Sequence, residues 1–514
     1  VVPDERAAAF VALGIAQQTG VPTALVCTSG TAALNWGPAV AEAFFQRVPL
    51  LLLTADRPPE WVDQWDGQTI RQRNVYGAHV KWSAELPVSH DHPDARRHLN
   101  RLVNEAILYA RAFPAGPTHL NVPIREPFYP TPGEPYTFGQ GRVIEAWSDT
   151  PNLSTAQYGA LAERWADHAR VLIVAGQHRA DALLRSALTQ FAERTRTVVV
   201  GDALSNLHDL PGVVTRPDAL LRRADARLRP DLLITFGMSV ISKQLKLYLR
   251  THSPHAHWHL QPAGTLADPY QSITHLLRVD PTRFFEALAN ELPPRPPAYA
   301  AAWREAEGKA RKRTDTFFAD RPFSEFGALQ TVLRRLPTGA QLHVGNSTPV
   351  RYVNFLGVPT GRDVTLFANR GTSGIDGSSS TAVGAALATE RPVVLITGDV
   401  AFFYDRNAFW LTGPLPPHLR VILLNNHGGG IFRLIRGPRD QPELVEYFET
   451  RQPMNAARTA ADFGLQYTSA KDGPSLQRAL EGFFTPTDGP HLLEIETDAA
   501  TNEATFRAYG QQFE

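Results

Sequence analysis

Two oxygen-bearing side chains, Asp399 and Asn426, follow apolar segments in the last third of the chain. Asp399 comes after the run VVLIT and a glycine, and Asn426 comes after the next apolar run, VILLN. Mg²⁺ takes oxygen ligands and is usually held by one or two protein groups together with phosphate oxygens. With the backbone carbonyl of Gly428, these side chains predict a site for a diphosphate and a divalent cation, either Mg²⁺ or Mn²⁺.

Other interpretations of this stretch have less support. Taken singly, Asp399 could cap the next helix and Asn425-Asn426 could form a turn. The sequence HGGG at 427–430 matches the oxyanion loop of some esterases, but the chain has no G-x-S-x-G nucleophile elbow. It also lacks the G-x-G-x-x-G fingerprint of dinucleotide-binding proteins. The combination of two strands, two oxygen ligands and a glycine-rich loop therefore favours the cation–diphosphate site.

The segments around these residues alternate between helix and strand along the whole chain. We predict a helix at 5–19 capped by Asp4, strands at 24–27 and 49–55, and a helix that begins at Thr31. This alternation indicates an α/β fold of doubly wound parallel sheets, in which ligands bind at the carboxyl ends of the strands. Further strands are predicted at 170–175, 197–200, 231–236 and 257–260.

The length of the chain, 514 residues, is too great for one hydrophobic core and fits about three domains. Two Pro-rich segments, at 128–138 and 292–297, are predicted to be linkers. We therefore expect three α/β domains, at 1–128, 140–292 and 320–514.

Composition argues against several classes of function. The net charge is zero and opposite charges are mixed throughout, so no footprint for nucleic acid is visible. Cys27 is the only cysteine, which excludes an internal disulfide and a cysteine-based zinc site and indicates a reducing, cytoplasmic setting. No run of about 18 apolar residues is present, so we expect no membrane span.

The opening residues Val1-Val2 resemble the end of a strand, and we expect an N-terminal part of the first domain to be missing.

The pattern GD, then about 26 intervening residues, then NN resembles the diphosphate motif of enzymes that depend on thiamin diphosphate (ThDP). The resemblance covers nearly the whole chain. It implies a pyrimidine-binding domain, a middle domain and a diphosphate-binding domain, with Asp399, Asn426 and Gly428 as metal ligands. It also implies that ThDP lies between the first domain of one subunit and the third domain of another. The chain is then expected to form a homodimer or a homotetramer.

ThDP enzymes need a carboxylate against the aminopyrimidine ring, where it assists removal of the thiazolium C2 proton. In the decarboxylase-like branch this glutamate follows a strand of the first domain and opens a helix, and Glu5 in VPDERAA stands at that place. Without the resemblance, Glu5 is explained as a first-turn acid that favours the helix dipole. Because CTSGT follows at the family's distance, we expect Glu5 to be catalytic and Ser29 and Gly30 to contact the cofactor.

Several longer segments narrow the resemblance to one family, the 2-succinyl-5-enolpyruvyl-6-hydroxy-3-cyclohexene-1-carboxylate (SEPHCHC) synthases of menaquinone biosynthesis. These enzymes are transferases. They decarboxylate 2-oxoglutarate on ThDP and add the succinyl carbanion to isochorismate in a 1,4-addition. The segments that carry the resemblance are CTSGTAALNWGPAVAEA, LLTADRPPE, GQTIRQ, NRGTSGIDGSSSTA, GDVAFFYDRNA and NNHGGGIF.

The resemblance also assigns residues to the substrates and the cofactor. Both substrates are dicarboxylates, which are bound best by arginine side chains. Ile375 is implied to wedge ThDP into its bent shape, next to Ser373, and Ile431 and Phe432 are implied to form an apolar wall beside the thiazolium. The residues implied to bind substrate are Arg57 and Gln68 in the first domain, Lys243 in the middle domain, and Ser347, Arg351 and Arg370 in the third.

Two alternatives stay open at this point. Another ThDP-dependent 2-oxoacid decarboxylase or carboligase is disfavoured by the Arg-rich segments and by the lack of a flavin-binding feature. A catalytically silent ThDP-binding protein would be expected to have lost Glu5, Asp399 or Asn426, and all three are present.

The sequence departs from the family pattern at the start of the chain, because family members usually begin earlier with a Ser-Arg-Ser-Thr turn that helps bind isochorismate. Nothing in this sequence matches that turn.

Overall fold

The computed structural model describes residues 1–513 except 127–128, 130–131, 134, 136–138, 148–149 and 224. The described residues form three parallel sheets with flanking helices, as the predicted α/β class requires. The predicted linker at 128–138 lies largely outside this described part. No helix among the described residues is both long and apolar enough to cross a membrane.

The first sheet has four strands, which all run parallel and form the edge where Ser29, Gly30 and Arg57 lie. The helix predicted from Thr31 is interrupted at buried Trp36, because Pro38 follows at the start of a new helix and has no N–H to donate. The strands are β1 (Thr23–Cys27), β2 (Leu50–Asp56), β3 (Trp82–Glu85) and β4 (Thr118–Pro123), in the order β1-β2-β4-β3. The helices are α1 (Glu5–Thr19), α2 (Thr31–Asn35), α3 (Gly37–Gln46) and α4 (Pro93–Arg111).

The second sheet has five parallel strands, three of which are buried along their whole length. The strands are β5 (Val171–Ala175), β6 (Val198–Gly201), β7 (Leu232–Phe236), β8 (Ala256–Leu260) and β9 (His275–Leu277), in the order β6-β5-β7-β8-β9. The helices are α5 (Thr155–Trp165), α6 (Ala182–Thr195), α7 (Pro217–Leu220), α8 (Lys243–Thr251) and α9 (Pro281–Leu288).

The predicted linker at 292–297 is held on the second sheet's helices rather than free. The Arg295 guanidinium donates hydrogen bonds to the carbonyls of Trp165 (3.1 Å) and His168 (2.8 Å), and Leu292 is buried in the apolar core. Pro297 then begins α10 (Pro297–Phe317), where its missing N–H costs nothing.

The third sheet has six parallel strands, and its two central strands are the apolar runs that precede Asp399 and Asn426. The strands are β10 (Gln341–Val344), β11 (Thr365–Phe367), β12 (Val393–Gly398), β13 (Leu419–Asn425), β14 (Gln466–Ala470) and β15 (His491–Glu496), in the order β11-β10-β12-β13-β15-β14. The helices are α11 (Glu325–Arg335), α12 (Thr348–Leu356), α13 (Ser378–Leu387), α14 (Asp399–Tyr404), α15 (Ala457–Phe463), α16 (Gly473–Leu480) and α17 (Ala499–Gln511).

Helices α1 and α13 join the first and third sheets through a very close crossing. A Cβ atom at Gly14 would lie 2.0 Å from the carbonyl oxygen of Thr381, and one at Gly384 would lie 1.9 Å from that of Val11. Only glycine allows two backbones to approach this closely. The crossing therefore fixes where the start of α1, with Glu5, lies against the third sheet.

Candidate active site

Adjacent strands bring Asp399 and Asn426 to one edge of the third sheet. β12 pairs with β13 in parallel, with Gly398 opposite Leu424, so the residues that follow both strands emerge side by side. Asp399 is only 2% exposed and opens α14. The N–H of Val400 donates to its Oδ1 atom (2.8 Å), and the Gln452 side-chain amide donates to Oδ2 (2.8 Å). Burial raises the pKa of Asp399, and these hydrogen bonds oppose that rise.

Asn426 has one partner and one buried oxygen without a partner. Its Nδ2 atom donates to Oε1 of Glu325 at 2.6 Å, whereas its Oδ1 atom is buried and receives no hydrogen bond. Glu325 is 1% exposed, and its second oxygen, Oε2, also has no partner. Burial and the nearby Asp399 carboxylate raise the pKa of Glu325 to about 8. Sequence reasoning missed Glu325, because it lies far upstream and nothing in the segment FSEFG signals a contact with this site.

The HGGG loop and the segment after it form one wall of a cavity of about 630 Å³. The carbonyl of Gly428 accepts from the N–H of Gly430 (2.9 Å), and the N–H of Gln452 donates to the carbonyl of His427 (3.2 Å). The N–H of Gly429 donates to the carbonyl of Glu449. The cavity is also lined by Asn426, Arg451, Thr497 and Asp498.

This arrangement fits a small, oxygen-binding cation. Asp399 provides a buried carboxylate and Asn426 provides an amide oxygen that lacks a partner, both at the ends of adjacent strands. The carbonyl of Gly428, the third predicted ligand, accepts from the N–H of Gly430. Within the described part of the chain, no three His, Cys, Asp or Glu side chains are grouped to hold a metal by themselves. The fit is thus to a metal that keeps other oxygen ligands, such as those of a phosphate.

Glu5 is the first residue of α1, after the N-cap Asp4, and it lies close to Cys27 at the end of β1. Burial and then the Glu5 charge raise the pKa of the Cys27 thiol to about 12. The side chain of Asn407 donates to Asp4 (2.8 Å), and Arg6 donates to the carbonyl of Tyr404 (2.8 Å). The start of α1 is therefore fixed at the far end of α14 from Asp399. Among the described residues, no hydrogen bond or ion pair joins Glu5 to Asp399 or Asn426.

In the first sheet, the loop that contains Ser29 and Gly30 is tied to the segment GQTIRQ. The N–H of Gly30 donates to Oε1 of Gln72 at 2.9 Å, and a Cβ atom at Gly30 (φ +88°) would lie 3.3 Å from the Gln68 backbone. Arg57 follows β2, and its guanidinium is 3.7 Å from the carboxylate of Asp66. The sequence predicts a role for Gln68 in this segment but not for Gln72, whose hydrogen bond to Gly30 joins two separate loops.

Arg351 and Arg370 lie close together at the boundary between the second and third sheets. Burial and then the Arg370 charge lower the pKa of Arg351, and its guanidinium donates to the carbonyl of Ser347 (2.5 Å). Arg370 donates to the side chain of Asn346 (3.1 Å). Burial and then Arg370 also lower the pKa of Lys246, so this lysine lies near the same cluster.

Lys243, the lysine that sequence analysis named, is the exposed first residue of α8. Lys246 was missed, because the sequence does not show which lysine of this helix lies near Arg370.

The remaining predicted cofactor residues lie on loops of the third sheet. Ser373 and Ile375 are exposed, and the carbonyl of Gly374 between them accepts from the Asn346 amide (2.6 Å). Ile431 and Phe432 are half-buried in the short helix Gly430–Arg433, and the Phe432 ring lies 5.7 Å from that of Phe448.

Four non-glycine residues of these loops have left-handed backbone conformations. Gln68 (φ 58°), Ser347 (φ 74°), Ser373 (φ 65°) and His427 (φ 63°) all adopt them, although none is a glycine. Such strain costs of the order of 1–3 kcal/mol per residue and is concentrated at binding and catalytic sites. These four positions lie in loops that the sequence predicts to bind ligands, whereas other left-handed residues, such as Arg47 and Arg196, end helices elsewhere.

Three protein families match successive parts of the chain. Residues 1–75 match the thiamine pyrophosphate enzyme, N-terminal TPP binding domain; residues 145–344 match the middle domain of thiamine pyrophosphate enzymes; and residues 349–495 match the C-terminal TPP binding domain. Thiamine pyrophosphate is ThDP. A crystal structure of benzoylformate decarboxylase from Polynucleobacter necessarius has the same fold, with a TM-score of 0.75 and 17% identity over 97% of this chain and 91% of that one.

Much closer relatives share one name, 2-succinyl-5-enolpyruvyl-6-hydroxy-3-cyclohexene-1-carboxylate synthase. The protein of Cytophaga hutchinsonii is 44% identical over 99% of this chain and 90% of its own length. That of Porphyromonas gingivalis is 37% identical over 99% and 89%, and that of Flavobacterium johnsoniae is 36% identical over 99% and 90%. The chain therefore belongs to the SEPHCHC synthase family of ThDP-dependent enzymes.

Proposed function

We propose that this enzyme decarboxylates 2-oxoglutarate and adds the remaining four-carbon unit to isochorismate in a 1,4-addition, releasing CO₂ and forming SEPHCHC for menaquinone biosynthesis. The observation that carries the proposal is the 44% identity to a synthase of that name over nearly the full length of both proteins. The grouping of Asp399 with an unpartnered Asn426 oxygen supports a cofactor site that is intact. The three domains are proposed to span 1–128, 140–292 and 320–514.

A divalent cation, Mg²⁺ or Mn²⁺, is proposed to bind Asp399, Asn426 Oδ1 and the Gly428 carbonyl. The buried carboxylate supplies the charge that draws the cation, and the two neutral oxygens complete the protein's share of its ligands. Gln452 now donates to Asp399 Oδ2. A carboxylate oxygen has a second lone pair, so this hydrogen bond can orient Asp399 while a cation binds.

ThDP, when bound, would supply a carbon nucleophile and a cationic ring that serves as the electron sink for decarboxylation of the 2-oxoacid. Glu5 is proposed to hold the proton exchanged with the aminopyrimidine ring. Ile375 is proposed to hold the cofactor bent, and Ile431 and Phe432 to exclude water from the reacting carbon. Ser29, Gly30 and Ser373 are proposed to complete the cofactor's surroundings.

Positively charged side chains are proposed to bind the carboxylates of the two substrates. Arg351 and Arg370 lie together, and burial lowers the pKa of both, so their charges are poorly compensated by solvent. A substrate carboxylate would stabilise these buried positive charges by forming charge-assisted hydrogen bonds with them. Ser347 and Lys243 are proposed to assist on this side, and Arg57 and Gln68 on the isochorismate side.

The complete site is proposed to need two subunits, as a homodimer or a tetramer of two dimers. Glu5 lies at the far end of α14 from Asp399, where Asp4 and Arg6 hold it to Asn407 and Tyr404. This position supports the expectation that the Glu5 of one subunit serves the metal site of another. Sedimentation analysis with ThDP and Mg²⁺ tests the assembly, and a monomer with full activity would contradict it.

The decisive experiment follows isochorismate loss and CO₂ release with 2-oxoglutarate, ThDP and Mg²⁺. We expect both signals in the wild-type protein and neither in Glu5→Gln, which should still bind ThDP because it changes only the proton-transferring group. CO₂ release without isochorismate loss would indicate another 2-oxoacid decarboxylase. ThDP binding without CO₂ release would indicate a silent binding protein. Glu5→Gln with near wild-type turnover would refute the assignment of Glu5.

A further inference from the structure

We propose that Glu325 is a positioning residue of the cation site, which holds the Asn426 amide so that its oxygen faces the metal. The inference rests on the proposed function of Asp399 and Asn426 as metal ligands and adds a residue that lies in a different part of the chain. Its basis is the 2.6 Å hydrogen bond from Asn426 Nδ2 to Glu325 Oε1, together with the buried, unpartnered Oδ1 atom at the other end of the same amide.

An asparagine amide has a donor end and an acceptor end, and its neighbours decide which end faces the ligand. The Oε1 atom of Glu325 accepts a hydrogen bond, so it selects the Nδ2 end of Asn426. The Oδ1 end is thereby directed away from Glu325, and a cation requires that end. With an amide nitrogen in that place, the site would present a donor to a cation and repel it.

The backbone of Glu325 is itself firmly held. Ser324 caps α11 by accepting from the N–H of Gly327, and the N–H of Glu325 donates to the side chain of Asn502 at 2.9 Å. Asn502 in turn donates to Thr497 (2.9 Å), a residue of the cavity wall. Partners that fix the orientation of metal ligands are a general feature of metal sites. The bond from Asn426 is therefore made to an acceptor with little freedom to move.

Stability alone does not explain a carboxyl group at this position. Glu325 is 1% exposed, its Oε2 atom has no partner, and no ion pair reaches it among the residues that the structure describes. A buried carboxyl group without a cationic partner costs stability, and apolar replacement of such groups is often neutral or stabilising. The hydrogen bond to Asn426 also does not depend on ionisation, since a protonated carboxyl group keeps an acceptor oxygen.

The test compares two substitutions of similar shape, Glu325→Gln and Glu325→Met. Glutamine keeps an acceptor for Asn426 but has no charge, whereas methionine removes the acceptor and fills a similar volume. The binding of Mg²⁺ in the presence of saturating ThDP is measured by titration calorimetry, and the melting temperature is measured without ligands. We expect E325M to weaken Mg²⁺ binding about 10- to 100-fold, without a lower melting temperature, and E325Q to stay within a few-fold of wild type.

A double-mutant cycle with Asn426→Ala separates positioning from other roles. If Glu325 acts through Asn426, E325M should add little to the loss already caused by N426A, because the group that it positions is gone. Additive losses would overturn the proposal, as would wild-type Mg²⁺ binding by E325M. Equal losses in E325Q and E325M would show that only the charge matters, and so would also overturn it. If E325M does not fold, E325Q decides, since a folded E325Q with a tenfold loss contradicts positioning by an acceptor.

The same experiment distinguishes failure of this inference from failure of the proposed cation site. Normal Mg²⁺ binding by N426A would mean that Asn426 is not a ligand, and the site itself would then be wrong. Weak binding by N426A together with normal binding by E325M would leave the site in place and refute only the role of Glu325.

Discussion

The first and third sheets each carry a cluster of buried polar side chains at the carboxyl ends of parallel strands, but only one cluster is complete. In the first sheet, the Asn121 amide donates to Asp56 (2.8 Å) and Glu85 (3.1 Å) and accepts from Thr54 (3.0 Å) and Gln72 (3.0 Å). Both ends of this amide are therefore fully used. We call these five residues the closed cluster.

The third sheet has an open cluster, formed by Asp399, Asn426 and Glu325. Here the Asn426 amide uses only its nitrogen, and two buried oxygens, one on Asn426 and one on Glu325, have no partner. Buried polar atoms without hydrogen-bond partners lower the free energy of unfolding, so their presence in a native protein calls for an explanation such as ligand binding. The closed cluster therefore shapes a loop by itself, whereas the open cluster has free acceptors that a bound cation would complete.

The largest difference is expected when the same substitution is made in both clusters. Asp399→Asn removes the buried charge that attracts the cation, and we expect it to weaken Mg²⁺ binding and turnover by more than about 100-fold. Asp56→Asn is the matched control, and it should leave Mg²⁺ affinity nearly unchanged while lowering the melting temperature. Both are measured by Mg²⁺ titration and by CO₂ release. Equal effects of the two substitutions on Mg²⁺ affinity would remove the distinction between the clusters.

A second prediction concerns stability. Asn121→Leu leaves Asp56, Thr54 and Gln72 without their shared partner, and we expect the free energy of unfolding to fall by about 2–4 kcal/mol. Calorimetric melting with and without ThDP and Mg²⁺ measures the loss. The contrast is with Glu325→Met in the open cluster, which should not lower the melting temperature. If E325M were destabilised and N121L were not, the closed cluster would not be the one that contributes to stability.

The smallest effect is expected from His119, which lies beside the closed cluster. Burial lowers its pKa to about 4, and it shares a hydrogen bond with Thr54 (2.8 Å). The unfolded chain takes up this proton near pH 6.5 and the folded protein only near pH 4. Stability is therefore intact above pH 6.5 and is lost as the pH falls towards 4, by roughly 1–2 kcal/mol at pH 5.

His119→Gln cannot take up that proton, and its melting temperature should therefore fall less than that of wild type between pH 7 and pH 5. Parallel slopes in the two proteins would show that His119 does not contribute to acid sensitivity. The measurement is a series of thermal melts without ligands, so that cofactor binding does not enter.

The predicted fold class, family and cofactor are confirmed, and particular residues show why. Asp399 and Asn426 follow two apolar runs, and parallel neighbours in a sheet bring such ends together. The order of apolar runs and polar residues in the sequence was therefore enough to predict that Asp399 and Asn426 lie at the same edge of the sheet. The assigned substrate residues, the metal and the assembly stay predictions. The prediction of a single helix from Thr31 was wrong, because the chain forms two helices there, with a break at Trp36 just before Pro38.

Features that depend on local periodicity and short spacing could be predicted from the sequence: helix α1, the strands β1, β2, β5 to β8, β12 and β13, and the loop that carries Asn426. Only the tertiary structure placed Glu325 against Asn426, Gln72 against Gly30, and Lys246 near Arg370. It also held the neighbours of Glu5 to Asn407 and to Tyr404 at the end of α14. Periodicity shows which face of an element is buried, but contacts between distant segments depend on how sheets and helices pack against one another. Contacts of this kind can therefore be found only in the folded molecule.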